Sequence, residues 1–398
     1  VKKYDICVVG GAGHVGLPLS ISFADRGKSV IIVDKNTSAL ETIGRGRLPF
    51  LEKDAEPVLK RVVHKKLFLS DDLSRVALAE FIVVVVGTPV DEHLNPACRE
   101  IMDFFRRLKP HLRPGQVVIL RSTVYPGTTQ RVRDLLERTG VRADVCFCPE
   151  RIAEGRAMEE LYSLPQIISG FRPGAVRRTA RLFGVLTKDI IVLEPLQAEL
   201  AKLFSNSWRY IHFAIANQFY MIAEEYGADF HTIFDAMTYR YPRTKSFPRP
   251  GFAAGPCLFK DTMQISAFTN NKFFLGHSAM LVNEGLPNFI VERLKLEHRL
   301  SGRVVGVLGM AFKAESDDKR ESLSYKLRKI LEFEAKEVLC SDEYISDEQF
   351  VSARELVRRS DIIIIGVPHK AYAALSFGRK VVVDIWGAVR KPNKRNAL

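Results

Sequence analysis

The stretch from Tyr4 to Asp34 constrains this chain more than any other. Tyr4-Asp5-Ile6-Cys7-Val8-Val9 reads as a buried strand. Gly11-Ala12-Gly13-His14-Val15-Gly16 follows, then an amphipathic helix to about residue 26 that Gly27 stops. Ser29-Val30-Ile31-Ile32-Val33 is a second strand, and it ends at Asp34. A glycine triplet alone is weak evidence. Here it sits between a strand and a helix, with an acid about twenty residues on, which is the pattern of a dinucleotide-binding turn. Gly11 permits the tight turn, Gly13 lets backbone approach a pyrophosphate, and Gly16 lets the helix pack on the sheet. Asp34 would accept from a ribose 2′-hydroxyl and repel a 2′-phosphate, so NAD is expected over NADP. The competing reading is a wound fold with no phosphate ligand.

The wound pattern continues. The run 81–86 is apolar throughout, as a strand buried on both faces should be, and it ends in Gly87-Thr88-Pro89. Val117-Val118-Ile119-Leu120 ends in Arg121-Ser122-Thr123-Val124, and Val145-Cys146-Phe147-Cys148 ends in Pro149-Glu150. Thr88, Thr123 and Glu150 thus fall at carboxyl ends of strands, where ligands of such sheets bind. Each could equally be a cap or loop residue. Pro195 is taken to close this region. From about 197 to 226 neither Gly nor Pro intervenes, which predicts one long connecting helix. Lys202 and Asn206 share a face of it, being four apart. The plainer alternative for Lys202 is a solvated pair with Glu199. Helix is expected again over 230–237, and over 280–299 with a break at Gly285-Leu286-Pro287.

Gly251-Phe252-Ala253-Ala254-Gly255-Pro256-Cys257 reads as a loop feeding a helix from Thr262 to Phe268. Cys257 then stands at a helix N-terminus, where free N–H groups and the helix dipole favour a thiolate, with Lys260 adding positive charge. That suits a nucleophile. A buried structural cysteine is the other reading.

At Gly302 the opening pattern restarts. Arg303-Val304-Val305-Gly306-Val307-Leu308 is a strand, 309–313 a loop and 325–333 a helix, and Val338-Leu339-Cys340 leads to Asp342. Ile362-Ile363-Ile364-Ile365-Gly366-Val367-Pro368 echoes Val83-Val84-Val85-Val86-Gly87-Thr88-Pro89, and Val381-Val382-Val383 is a last strand. No glycine triplet occurs here, so a second wound domain for a different ligand is expected. The tail Lys391-Pro392-Asn393-Lys394-Arg395 is expected to fray. The fold class is therefore α/β: two doubly wound Rossmann-like domains joined by a long central helix and a helical dimerisation domain. The divisions are 1–195 for NAD, 196–300 for the central helical part, and 301–398 for the second nucleotide.

Composition narrows the classes. The 398 residues are 46% hydrophobic, enough for a packed core. No apolar run reaches the roughly 18 residues of a membrane span. The six cysteines are scattered, no signal-peptide pattern is present, and a reduced cytoplasmic protein is expected. No metal-ligand spacing occurs. The net charge of +13 is spread along the chain with no nucleic-acid motif. A solvated surface or a basic cleft for an anionic small substrate accounts for it.

Taken together, the stretches resemble the UDP-glucose/GDP-mannose dehydrogenase family, NAD-dependent nucleotide-sugar 6-dehydrogenases, over nearly the whole chain. The resemblance rests on GAGHVGLP at 11–18, Val86-Gly87-Thr88-Pro89, Ser122-Thr123-Val124, Pro149-Glu150 with Ala153-Glu154-Gly155, and ELAKLFSN at 199–206. Gly255-Pro256-Cys257 with Lys260-Asp261, and GMAFKAESDDKRES at 309–322, complete it. It implies oxidation of a UDP-sugar C6 alcohol to a carboxylate with two NAD in turn. Gly11, Ala12, Gly13, His14, Val15, Gly16, Asp34, Thr88 and Thr123 would contact NAD. Cys257 would carry a thiohemiacetal and then a thioester. Lys202 would stabilise the alkoxide and, with Asn206, the oxyanion. Asp261 and Thr123 would position water, with Glu150 as base or water orienter. Arg151, Arg243 and Gly255 would line the sugar site, and Lys313 and Arg320 would hold the UDP moiety. The resemblance also implies a homodimer or dimer of dimers.

Three departures stand out. His14 replaces the family's usual Tyr, Trp386-Gly387 follows Asp384, and the spacing from Arg240 or Arg243 to Cys257 differs from the UDP-glucose branch. The arginines look like the UDP-N-acetylmannosamine branch, whereas Cys257-Leu258-Phe259-Lys260-Asp261 looks like the UDP-glucose branch. Two rivals are a 3-hydroxyacid or 6-phosphogluconate-type dehydrogenase, which needs no cysteine, and a non-catalytic basic nucleotide-sensing module.

Overall fold

A computed structural model describes residues 3–87, 98–252, 255 and 257–389. Thr88, Pro89, Ala253, Ala254, Pro256 and the tail 390–398 lie outside the described residues. Contacts divide the chain into two compact units, Val1–Ser205 and Asn206–Leu398.

The first unit is a wound sheet. Its strands are β1 (Tyr4–Val9), β2 (Val30–Val33), β3 (Leu67–Ser70), β4 (Ala79–Val84), β5 (Val117–Leu120), β6 (Asp144–Phe147), β7 (Gln166–Gly170) and β8 (Ile190–Leu193). They lie in the order β3-β2-β1-β4-β5-β6-β7-β8. The first six follow the dinucleotide-binding order 3-2-1-4-5-6. Every pairing is parallel except β6 with β7. Alternation along β1 explains two cores: Ile6 and Val8 enter one, Cys7 and Val9 the other, each covered by helices. The sequence reading missed β3, β7 and β8. Pro195 opens the helix Pro195–Glu225, where a missing N–H costs nothing.

That helix runs for 31 residues, and the boundary between the units falls within it. The second unit holds β9 (Val304–Leu308), β10 (Glu337–Ser341), β11 (Ile362–Ile365) and β12 (Val381–Val383), all parallel in the order β10-β9-β11-β12. Helices Phe230–Thr238, Leu258–Phe268, Phe274–Glu297 and Leu323–Glu334 accompany it. The expected break at Gly285-Leu286-Pro287 does not occur: the helix Phe274–Glu297 passes through Pro287. An interior Pro costs roughly 3 kcal/mol. Leu286, Phe289, Ile290, Val291 and Leu294 are all buried in one cluster, and that burial, at about 1.5–3 kcal/mol per side chain, outweighs it.

A buried amide pair fixes the entry to the cysteine loop. Asn217 on the long helix donates to Asn283 Oδ1 at 2.9 Å and accepts the Gly251 N–H at 2.8 Å. Asn283 donates to the Tyr210 carbonyl at 3.1 Å. Both asparagines are fully buried. Replacing Asn217 by Ala leaves the Gly251 N–H and the Asn283 oxygen without partners, at a cost of about 2–3 kcal/mol. Urea unfolding of Asn217→Ala should show that loss; a change below about 0.5 kcal/mol would show that water substitutes for the amide.

Candidate active site

In the first unit the glycine turn has the expected shape. Gly10, which the sequence reading did not single out, has φ +76°, and a Cβ there would stand 2.1 Å from the Val85 carbonyl oxygen. A Cβ on Gly16 would stand 2.6 Å from Gly11 Cα, so the helix Gly16–Asp25 starts flush against the turn. A Cβ on Gly13 would meet nothing within 4 Å, which leaves that backbone open to a ligand. Asp34 closes the turn: Oδ2 accepts the Ala12 N–H at 3.0 Å and Oδ1 the Asn36 N–H at 3.0 Å. His14 packs its ring on Phe50 at 3.9 Å. Gly11 to Gly16 and Asp34 are thus brought together, in a form that fits a dinucleotide.

The ends of β5 and β6 carry the other candidates of this unit. Thr123 and Arg151 are half-buried, and Arg151 donates to the Pro165 carbonyl. Glu150 is not a free carboxylate. Oε2 takes the guanidinium of Arg121, and Oε1 accepts the N–H groups of Arg151 at 2.7 Å and Ile152 at 3.1 Å. Arg121 was missed in the sequence. It is wholly buried, donates also to the Cys148 carbonyl at 3.1 Å and Gln166 Oε1 at 3.0 Å, and lies 5.0 Å over the Phe183 ring. An arginine ending an apolar strand run was the available signal.

Glu199 overturns the solvated-pair reading. It is buried, accepts the N–H groups of Gly127 at 2.6 Å and Thr129 at 2.8 Å, and accepts the Thr129 hydroxyl at 2.6 Å. It therefore caps the helix Thr128–Arg138. Burial pushes its carboxyl above the ordinary range in spite of those bonds. Lys202, half-buried, stands three residues on along the long helix, and Asn206 one turn further.

In the second unit, Cys257 is the N-cap of the helix Leu258–Phe268, which begins earlier than expected. It is exposed, whereas Cys7, Cys146, Cys148 and Cys340 are buried, so the buried-cysteine reading does not hold. Burial pushes the Cys146 and Cys340 thiols up to about 11, which leaves them inert. Gly255 has φ +103°, and a Cβ there would strike Phe312 at 2.5 Å. Asp261, fully buried, accepts from the Asn206 amide at 2.6 Å and pairs with Lys260 at 3.4 Å. The Lys260 charge is therefore directed at Asp261. Arg243 is exposed and donates to the Tyr241 hydroxyl at 3.2 Å. Lys313 lies 5.6 Å over the Phe312 ring. The Arg320 fork closes on Asp318, with Nε at 2.9 Å from both oxygens. Thr88 lies outside the described residues.

Comparison with known proteins covers both units. Domains described as the NAD binding, central and UDP binding domains of the UDP-glucose/GDP-mannose dehydrogenase family match residues 4–186, 196–284 and 306–391. The chain belongs to the UDP-glucose/GDP-mannose dehydrogenase family. A UDP-N-acetyl-D-mannosamine dehydrogenase of Pyrococcus horikoshii is 29% identical, over 96% of this chain and 95% of the relative. Its solved structure superposes with a TM-score of 0.90 at 28% identity, over 98% of this chain and 96% of that one. A UDP-glucose dehydrogenase from Pyrobaculum islandicum gives 0.88 at 26% identity, over 97% and 95%.

Family membership makes the protein an NAD-dependent oxidoreductase acting on UDP-sugars. Both expectations from the sequence, NAD and the UDP-sugar class, stand. Among the described residues no helix is long and apolar enough to cross a membrane. A direct test of Asp34 follows from its position at the end of β2. Asp34→Ala should weaken NAD about tenfold, by loss of a charged acceptor, and narrow the preference over NADP. Fluorescence titration with both dinucleotides reads this out, and equal affinity in the unmodified protein would remove the role of Asp34.

Proposed function

We propose that the protein oxidises the C6 alcohol of a UDP-N-acetylhexosamine, with UDP-N-acetylmannosamine the first candidate, to the uronic acid through a covalent adduct on Cys257. The observation that carries this reading is the cysteine itself. It is an exposed thiol at a helix N-cap, on a loop tied down by Asn217 at Gly251 and followed by the Asp261–Asn206 bond. A structural cysteine needs none of that. The N-acetylmannosamine assignment follows the archaeal relative that matches nearly the whole chain. UDP-glucose is the second reading, from the Pyrobaculum structure and the Cys257-Leu258-Phe259-Lys260-Asp261 run.

NAD supplies the hydride acceptor for both oxidations. Lys202 takes up the alcohol proton or steadies the alkoxide as the first hydride leaves, giving the aldehyde. The Cys257 thiolate adds to the aldehyde carbon, and the oxyanion takes a proton, giving the thiohemiacetal. Loss of a second hydride and that hydroxyl proton gives the thioester. Water then cleaves the C–S bond, one of its protons going to the departing sulfur and the other to solvent, which releases carboxylate and thiol. Asn206 uses one amide hydrogen on Asp261 and has a second for the oxyanion. Asp261 and Thr123 position the water. Glu150, already engaged through both oxygens, orients it and does not take its proton. Lys313 provides a point charge for the pyrophosphate of UDP, and Arg320 is oriented through Asp318. Arg151, Arg243 and Gly255 face the sugar.

The three parts 1–195, 196–300 and 301–398 are read as NAD, catalytic and UDP domains. The protein pairs with a second copy along the long helix. Trp208, Ile215, Phe219, Ile222 and Tyr226 recur every three, four or seven residues on one face, and each is exposed. Light scattering of a Phe219→Glu, Ile222→Glu double variant should show a monomer; an unchanged dimer mass would place the interface elsewhere.

The decisive variant is Cys257→Ser. It should keep UDP and NAD affinity, since neither needs the thiol. Turnover of UDP-N-acetylmannosamine, read as NADH, should fall by about 10³-fold or more. Near-normal turnover would remove the covalent route and with it the four-electron reading.

A further inference from the structure

We propose that His369 is a positioning residue for the nucleotide, a latch that fixes the loop carrying Lys313. It rests on the reading that Lys313 contacts the UDP moiety. β11 is followed by Gly366-Val367-Pro368-His369, and the His369 side chain is wholly buried. Its Nδ1 lies 3.0 Å from the backbone nitrogen of Glu315. A backbone N–H can only donate, so Nδ1 is the acceptor and the ring proton sits on Nε2. That proton is donated to Asp342 Oδ2 at 3.2 Å. The same oxygen accepts the N–H groups of Met310 at 2.6 Å and Ala311 at 2.9 Å. One imidazole thus ties the loop at 310–311, through Asp342, and again at Glu315. Lys313 lies between the two ties.

The second tie holds a strained residue. Glu315 has φ +57°, a left-handed conformation that costs a non-glycine residue about 1–2 kcal/mol. Such a conformation persists only where its surroundings over-determine it. Three bonds do so here. The Glu315 N–H goes to His369, Oε1 accepts the Lys370 N–H at 2.9 Å, and Oε2 accepts the Tyr344 hydroxyl at 3.0 Å. Asp342 is held well enough to act as an anchor. Burial alone would raise its carboxyl, but the bonds from His369, Tyr344 and Met310 together bring it below the ordinary range. Without the imidazole, the half-buried Glu315 N–H loses its partner and the left-handed turn relaxes, carrying Lys313 with it. None of this requires His369 to touch the substrate.

The test uses the full chain, with UDP and NAD titrated calorimetrically. Asn Oδ1 falls where the imidazole Nδ1 stands, and Gln Nε2 reaches the place of the imidazole Nε2. His369→Asn therefore keeps the tie to Glu315, and His369→Gln keeps only the tie to Asp342. We expect His369→Phe and His369→Gln to weaken UDP about tenfold and His369→Asn less than about threefold, with NAD unchanged throughout. Lys313→Ala is the control. If it leaves UDP affinity unchanged, the nucleotide reading of the loop falls and the latch with it. If it weakens UDP while His369→Phe and His369→Gln do not, the latch alone is overturned. Should His369→Phe fail to fold, the Asn–Gln pair decides: equal losses of UDP in both, or loss of NAD as well, would mean that His369 only fills space.

Discussion

A carboxylate that accepts backbone N–H groups from the turn after a first strand is the constraint on which both units are built. Asp34 does this for Ala12, and Asp342 does it for Met310 and Ala311. In each case the acid ends the second strand of its unit and pulls the turn over the carboxyl edge of the sheet. The two acids differ in what they have left. Asp34 accepts two N–H groups and stays partly exposed, so it has lone pairs for a ribose hydroxyl. Asp342 accepts from Met310, Ala311, Tyr344 and Ile345 and from the His369 ring. A carboxylate offers about four lone-pair sites, so Asp342 is saturated. The same device leaves spare lone pairs in one unit and a saturated, fixed corner in the other.

The cysteine loop depends on a different economy of bonds. Gly251 is tied to Asn217, the Gly255 N–H reaches the Glu321 carbonyl at 3.3 Å, and Asp261 holds Asn206 from beneath. Gly255 closes on the Phe312 ring so tightly that no side chain fits. An exposed thiol on a loop would ordinarily sample many positions. Here Gly251 and Asp261 are each hydrogen-bonded to a buried side chain, while Cys257 itself is exposed.

Much of this was legible in the sequence, for a physical reason. Parallel strands covered on both faces are runs of Val and Ile, and turns that approach a phosphate need Gly, so β1, β2, β4, β5 and the glycine turn declare themselves. The reading of the turn foresaw the open backbone at Gly13 and the flush helix at Gly16, but not Gly10. It failed where one side chain satisfies backbone far away in sequence. Glu199 lies 70 residues from the Thr129 N–H it accepts, and His369 lies 54 from the Glu315 N–H. Nothing local marks either. Pro287 failed for the opposite reason: its local penalty is plain, and the burial that overrides it is not.

The buried arginine joins these threads. Arg121 sits at the end of β5 with no exposure, which is costly for a guanidinium unless every hydrogen finds an acceptor. Glu150, the Cys148 carbonyl and Gln166 supply acceptors for the two terminal nitrogens, while Nε is buried without a hydrogen-bond partner. Removing the acid would strand a buried charge, and removing the arginine would strand the acid. Glu150 is therefore held in place by an arrangement that gains little net stability, since replacing such a pair by apolar groups is often neutral or better. What the pair does is geometric: with the Arg151 and Ile152 N–H groups on its other oxygen, it fixes where the Glu150 oxygens point.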